Sequence, residues 1–209
     1  MNSFKEYIYD IFISYRRHTP VEVWVERYFY PELMKWLPEE LPPMRKLNVF
    51  FDKRIKPGEK WPAKLCQALR CSRLLLPVLS SPYFGSPWCI SELHSIQARE
   101  HYLKLSCEYQ TDGLIYPVVF SDGKYFPDNI KHIQHRDMKK WASTAEAFES
   151  SKDFLTFESE VKQIARDISL MLDKSPPYDP NWPIVEVEEK LNDPAMSMQP
   201  PRFTTGGNS

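Results

Sequence analysis

The chain has 209 residues, 42% of them hydrophobic and 26% charged, which is enough for one buried core and excludes both two large domains and global disorder. Its 27 basic and 28 acidic residues leave a net charge of -1, so the basic excess of a nucleic-acid binder is missing. The first ten residues carry Lys5, Glu6 and Asp10 without an apolar stretch of leader length, and the aliphatic run 74–79 contains Pro77 and is too short to span a bilayer, so the expectation is a cytoplasmic protein acting on neither nucleic acid nor membrane.

In chain order, residues 9–15 (YDIFISY) form a β-branched and aromatic run that predicts a buried strand. Helical spacing follows through Val21, Trp24, Val25, Tyr28, Phe29, Leu33 and Trp36, with Pro31 expected to kink or split the helix. Residues 47–51 (LNVFF) predict a second strand, and residues 52–60 a polar loop in which Pro57-Gly58 has turn chemistry. A helix begins around Pro62 with Leu65, Ala68 and Leu69 on its apolar side.

Residues 73–79 (RLLLPVL) read as a third strand, continuous in aliphatic residues as central parallel strands are. A long helix is expected over 87–105, a fourth strand over 114–120 and a short fifth over 133–137. The last helix, 154–172, places Phe157, Val161, Ile164, Ile168 and Leu172 on one stripe. Alternating strands and helices predict an α/β fold with an open, mostly parallel five-stranded sheet and helices on both faces. Its sites should lie at strand carboxyl ends, after Tyr15, Phe51 and Leu79.

The expected domain covers residues 1–177. Residues 178–209 are rich in proline and read as a tail without a core of its own, able to dock in extended form with Trp182 as its anchor. Cys66, Cys71, Cys89 and Cys107 contain no CxxC pair and read as buried free thiols. His132 and His135 lack partners of matching spacing, so no metal site is expected.

Three segments in order, YDIFISYRR, VFFDKRIKPGEKW and LLLPVLSSPYFGSPWCISEL, closely resemble the Toll/interleukin-1 receptor (TIR) domain family. The resemblance implies a flavodoxin-like fold and one of two activities. An enzymatic branch cleaves NAD+ at the nicotinamide ribosyl bond, and a receptor and adaptor branch acts as a non-catalytic scaffold through TIR to TIR contacts.

By this resemblance Glu92 is the catalytic carboxylate, stabilising an oxocarbenium-like ribosyl group as nicotinamide departs; the alternative is a solvated helix glutamate. Trp88, one helical turn earlier, is either a wall of the nucleotide pocket or a packing tryptophan. Trp61 either stacks on nicotinamide or anchors the helix after the loop. Ser14, Tyr15, Arg16 and Arg17 would line the substrate site, with Arg16 or Arg17 pairing a phosphate or serving as surface charge.

In the loop 52–60, called the BB loop in this family, Arg54, Lys56, Pro57 and Gly58 would contact another subunit in a homo-oligomer or filament. Gly58 is the only glycine before Gly85, so the dinucleotide fingerprint of redox enzymes is absent and NAD+ would be a substrate, with no cofactor. The resemblance further suggests a bacterial stand-alone type, similar to anti-phage Thoeris systems, with a separate effector or sensor protein acting in trans.

Overall fold

The computed structural model describes residues 6–51, 61–105, 113–121, 123, 126–127, 130 and 134–185. Strand β1 (Tyr9–Tyr15) pairs on one side with β2 (Val49–Phe50) and on the other with β3 (Ser72–Leu79). β4 (Val118–Val119) and β5 (Arg136–Asp137) complete a wholly parallel sheet in the order β2-β1-β3-β4-β5. The expected α/β class and strand count hold.

Burial explains why β1 and β3 are the long strands, since six of seven residues in β1 and seven of eight in β3 are buried. β4 is shorter than its predicted span 114–120. Leu75 and Leu79 both bond to the β4 side, whereas Pro77 between them has no N–H to give to that strand. The pairing therefore lapses between the bridge Leu75 to Ile115 and the ladder at Val118.

The first helical stretch is interrupted by a π-helical turn just before Pro31, without a break in the chain of helical residues. α1 (Pro20–Trp24) passes directly into a π-helical turn, Val25–Phe29, and then into α2 (Tyr30–Trp36). The Tyr30 amide bonds to the Val25 carbonyl five residues back, so the wider turn precedes Pro31 and accommodates its ring and missing donor. The inward stripe survives, with Val21, Trp24, Val25, Tyr28, Phe29 and Leu33 all buried. Trp24 stacks on Phe29 at 5.0 Å and donates its indole N–H to the Trp141 carbonyl at 2.8 Å.

α3 (Trp61–Arg70) precedes β3, and a short α4 (Ser81–Phe84) leads to α5 (Pro87–Tyr102). α6 (Lys152–Asp173) is capped by Ser151, whose hydroxyl accepts the Phe154 amide, and its predicted apolar stripe is buried throughout. No described helix is long and apolar enough to cross a membrane. Cys71 and Cys89 are buried as expected, Cys66 is only half-buried, and Cys107 lies outside the described residues.

Arg99 of α5 is fully buried and donates to the carbonyls of Ser72 (2.7 Å), Leu69 (3.1 Å) and Arg70 (3.4 Å). Its guanidinium lies 5.0 Å from the ring centre of Trp182, which is 3% exposed. The segment from residue 178 to Val185 is thus seated on the domain, and Tyr178 meets Tyr7 edge-on at 5.2 Å. Burial lowers the Arg99 pKa to about 10, with Tyr7, Cys71 and Tyr178 acting in the opposite sense.

Two stability outcomes follow from this packing. Trp182→Ala should lower the unfolding free energy by roughly 3 kcal/mol, read as a lower urea midpoint, because a buried aromatic is lost and the Arg99 charge is uncovered. At the far edge of the sheet, Asp167 accepts from both Arg136 and Tyr116 at 2.6 Å. Burial raises the Asp167 pKa, but these hydrogen bonds outweigh it and leave the carboxyl below its ordinary 3.8. The stabilisation is therefore present above the unfolded-state pKa and lost as pH falls through the lower folded-state one. Asp167→Asn should cost about 1 kcal/mol at neutral pH, shrinking as the medium is acidified through that range, in paired urea titrations.

Candidate active site between the ends of strands β1 and β3

In the order 2-1-3, the connections after β1 and β3 leave toward opposite sides, opening a crevice at their carboxyl ends. β1 delivers Ser14 there, followed by a sharp turn in which His18 adopts a left-handed φ of 58°. That turn is fixed by the His18 amide donating to Glu22 at 2.9 Å and by the Thr19 hydroxyl donating to the Arg16 carbonyl at 2.8 Å. β3 delivers Ser80, then α4 and Ser86. The Ser86 hydroxyl caps α5 by accepting the Cys89 amide, and Pro87 fits the first helical position.

Glu92 lies near the start of α5 and is 8% exposed. The Ser14 hydroxyl donates to its carboxylate at 2.5 Å. Ser14 Oγ is also 2.9 Å from the Tyr83 hydroxyl, which donates to the Cys89 carbonyl at 3.1 Å. A carboxylate only accepts, so the Ser14 proton is committed to Glu92 and the Tyr83 proton is shared between Ser14 Oγ and Cys89. Burial, together with nearby Cys89 and Glu92, raises the Tyr83 pKa well above 10.0 and keeps the phenol a neutral donor. The result is a buried acidic group held in one orientation by a relay of two hydroxyls.

Arg16 joins this side of the crevice, donating to the Ser86 hydroxyl at 3.1 Å. Trp88 is half-buried and packs against the core. Tyr15 points to the opposite sheet face from Ser14 and packs on Phe51 at 5.6 Å between ring centres. Arg17 turns toward α1, 3.7 Å from Glu22. Trp61 opens α3, and its side chain lies outside the described residues, as do Arg54, Lys56, Pro57 and Gly58.

The structure therefore brings Ser14, Arg16 and Glu92 to the β1–α5 junction and directs Tyr15 and Arg17 elsewhere. Ser80 Oγ, buried at the end of β3, has no hydrogen-bond partner among the described residues, leaving unused polar capacity beside the crevice. No cluster of acidic, histidine or cysteine side chains among the described residues can hold a metal. A cavity of about 1120 Å³ opens elsewhere, between the α5 carboxyl end, β5 and α6, and is lined by none of the candidate catalytic, substrate-binding or assembly residues.

Tyr83 and Ser86 escaped the sequence reading. Both lie within SSPYFGSPWCISEL, but Tyr83 belongs to α4, separated from Glu92 by a turn, and Ser86 is the cap that precedes α5, so neither falls on the helical period of Glu92. The only available signal was the Ser-Pro pair at 86–87, which is a helix-start pattern.

With this parallel fold and crevice in view, the family model for the TIR domain matches residues 11–151, and the chain belongs to the TIR domain family. The disease resistance protein RML1A of Arabidopsis thaliana is 27% identical over 150 residues, which are 64% of this chain and 14% of that protein, so the chain spans only a small part of its relative. The TIR domain of the Toll-related receptor TRR-2 from Hydra magnipapillata superposes with a TM-score of 0.49 at 19% identity, covering 77% of this chain and 98% of that one. The TIR domains of the activated Roq1 resistosome directly recognizing the pathogen effector XopQ give 0.37 at 19% identity, covering 79% and 96%.

The Ser14 to Glu92 bond is open to a direct check. Ser14→Ala should destabilise the fold by about 2 kcal/mol because it removes the donor that a buried carboxylate needs. A double-mutant cycle of Ser14→Ala with Glu92→Gln, read by urea unfolding, should give a coupling of roughly 1 kcal/mol or more; additive effects would mean the two side chains do not interact.

Proposed function

We propose that this TIR domain is an NAD+ nucleosidase whose catalytic group is Glu92. The observation that carries the reading is a carboxylate, nearly buried at the β1/β3 crevice and aligned by the Ser14 hydroxyl. The C1′–N bond of the nicotinamide riboside breaks with its electron pair moving to the pyridinium nitrogen, and neutral nicotinamide leaves. Positive charge develops on the ribosyl group, and Glu92 offsets it in a site where water screens little.

Water then adds at C1′ and loses a proton, giving ADP-ribose; a nucleophile from the same nucleotide would instead give a cyclic isomer. Ser14 fixes the orientation of the carboxylate that faces the ribose in this reading. In this reading Arg16 pairs with the pyrophosphate, Trp88 forms a wall beside the ribose and Trp61 stacks on the nicotinamide ring, as the sequence resemblance implies. NAD+ is a substrate in this scheme, and no cofactor takes part.

The loop 52–60, with Arg54, Lys56, Pro57 and Gly58, would contact a second subunit and complete the site on assembly. We extend the reading to bacterial immune signalling against phage, in which a separate effector or sensor in the cytoplasm acts in trans. That role follows from the sequence resemblance.

Incubation of concentrated protein with NAD+ should release nicotinamide, at a rate rising more steeply than linearly with protein concentration. Glu92→Gln should lower this rate by about 100-fold or more while keeping the far-UV circular dichroism of the parent. Release of no nicotinamide at any concentration would overturn the proposal and leave the chain as an association module.

A further inference from the structure

α5 has an unusual distribution of buried groups. Ser91, Ser95 and Arg99 recur every fourth residue, so they form one polar stripe of the kind normally left to solvent. All three are buried, at 8%, 0% and 0% exposure. The segment after α6 contributes to that cover. Trp182 packs on Arg99, and the peptide unit of Val185 is gripped from both sides. Its N–H donates to Ser95 Oγ at 2.9 Å, and its carbonyl accepts from Ser91 Oγ at 2.5 Å. Ser95 Oγ in turn donates to the Ser91 carbonyl at 2.7 Å, tying the clamp into the helix backbone.

This clamp grips the backbone, so it fixes distance and register without depending on the Val185 side chain, which is 37% exposed. Its partner Ser91 immediately precedes Glu92. α5 is thus held at three places: at its start by Ser86 and Arg16, near its end by Arg99 on the carbonyls of α3 and β3, and between them by Val185. The prolines at 176, 177, 180 and 183 restrict the free segment to extended shapes, which lowers the entropy lost on docking.

We infer that Ser91, Ser95 and the strap ending at Val185 are positioning elements for Glu92: the Val185 clamp sets the seating of α5 and therefore the alignment of the carboxylate with Ser14. The inference rests on the NAD+ reading above for its catalytic consequence. Releasing the clamp lets the middle of α5 shift against β1, and displacements well below 1 Å are costly when a carboxylate must face a developing charge. The strap itself touches no substrate.

The test uses the full chain. Val185→Pro removes the N–H that Ser95 accepts, and Ser95→Ala removes the acceptor from the other side. Each should accelerate amide hydrogen exchange across the α5 peptide containing Ser91 to Ile96. Each should also lower kcat for nicotinamide release by about fivefold with KM changed less than twofold. Ser95→Thr keeps the hydroxyl and should restore both readouts.

Unchanged exchange in both variants would overturn the clamp. Faster exchange with unchanged kcat in an active protein would overturn the positioning role and leave the strap as packing. A parent chain that releases no nicotinamide instead refutes the NAD+ reading, and the catalytic part of this inference falls with it. The exchange measurement separates that failure from a failure of the clamp.

Discussion

The buried guanidinium of Arg99 is the constraint on which the arrangement of α5 depends. A cation removed from water needs acceptors from its surroundings, and here they are the last carbonyls of α3 and the first of β3. Those at the end of α3 have no helical partner of their own and lie at the negative end of the helix dipole. One side chain therefore satisfies a helix terminus and joins two helices to the sheet. Trp182 covers the remaining face, so the charge is retained without contact with bulk water.

With α5 fixed at that end, its opposite end determines what the crevice contains. Ser86 and Pro87 start the helix immediately beyond α4, and the next turn brings Glu92 over Ser14. Holding a carboxylate nearly out of water requires donors arranged in advance, and the sheet supplies one through β1 while α4 supplies Tyr83 behind it. The same central strand pairs with both β2 and β3, so the donor sits on the most firmly held part of the backbone. Asp10, at the other end of β1, reinforces this by accepting from Arg45 and from the Asn48 amide.

How much could be read from the sequence depended on the range of the physical signal. β1, β3 and α6 were legible because burial on both faces, or along one stripe, leaves a periodic record in the residues that form them. Ser14, Arg16 and Glu92 were legible as candidates through motif resemblance, but their mutual geometry is a consequence of strand order. The π turn was not, because Pro31 states that a donor is missing without stating how the backbone accommodates it. The short β4 depends on Pro77 of the neighbouring strand, which withholds a donor that the residues of β4 do not reveal. The burial of the polar stripe on α5 was not legible, because its cover comes from some ninety residues downstream.

The lengths of the outer strands have a consequence for how copies of this chain can meet. The sheet is bounded by β2 and β5, whose ladders comprise two residues each. Strand-to-strand docking needs a row of unsatisfied amides and carbonyls, and such brief borders offer little template for it. The described borders thus offer little for fibril-like growth through backbone pairing, and a contact between copies would rest on side-chain surfaces, where charge and shape can discriminate between partners.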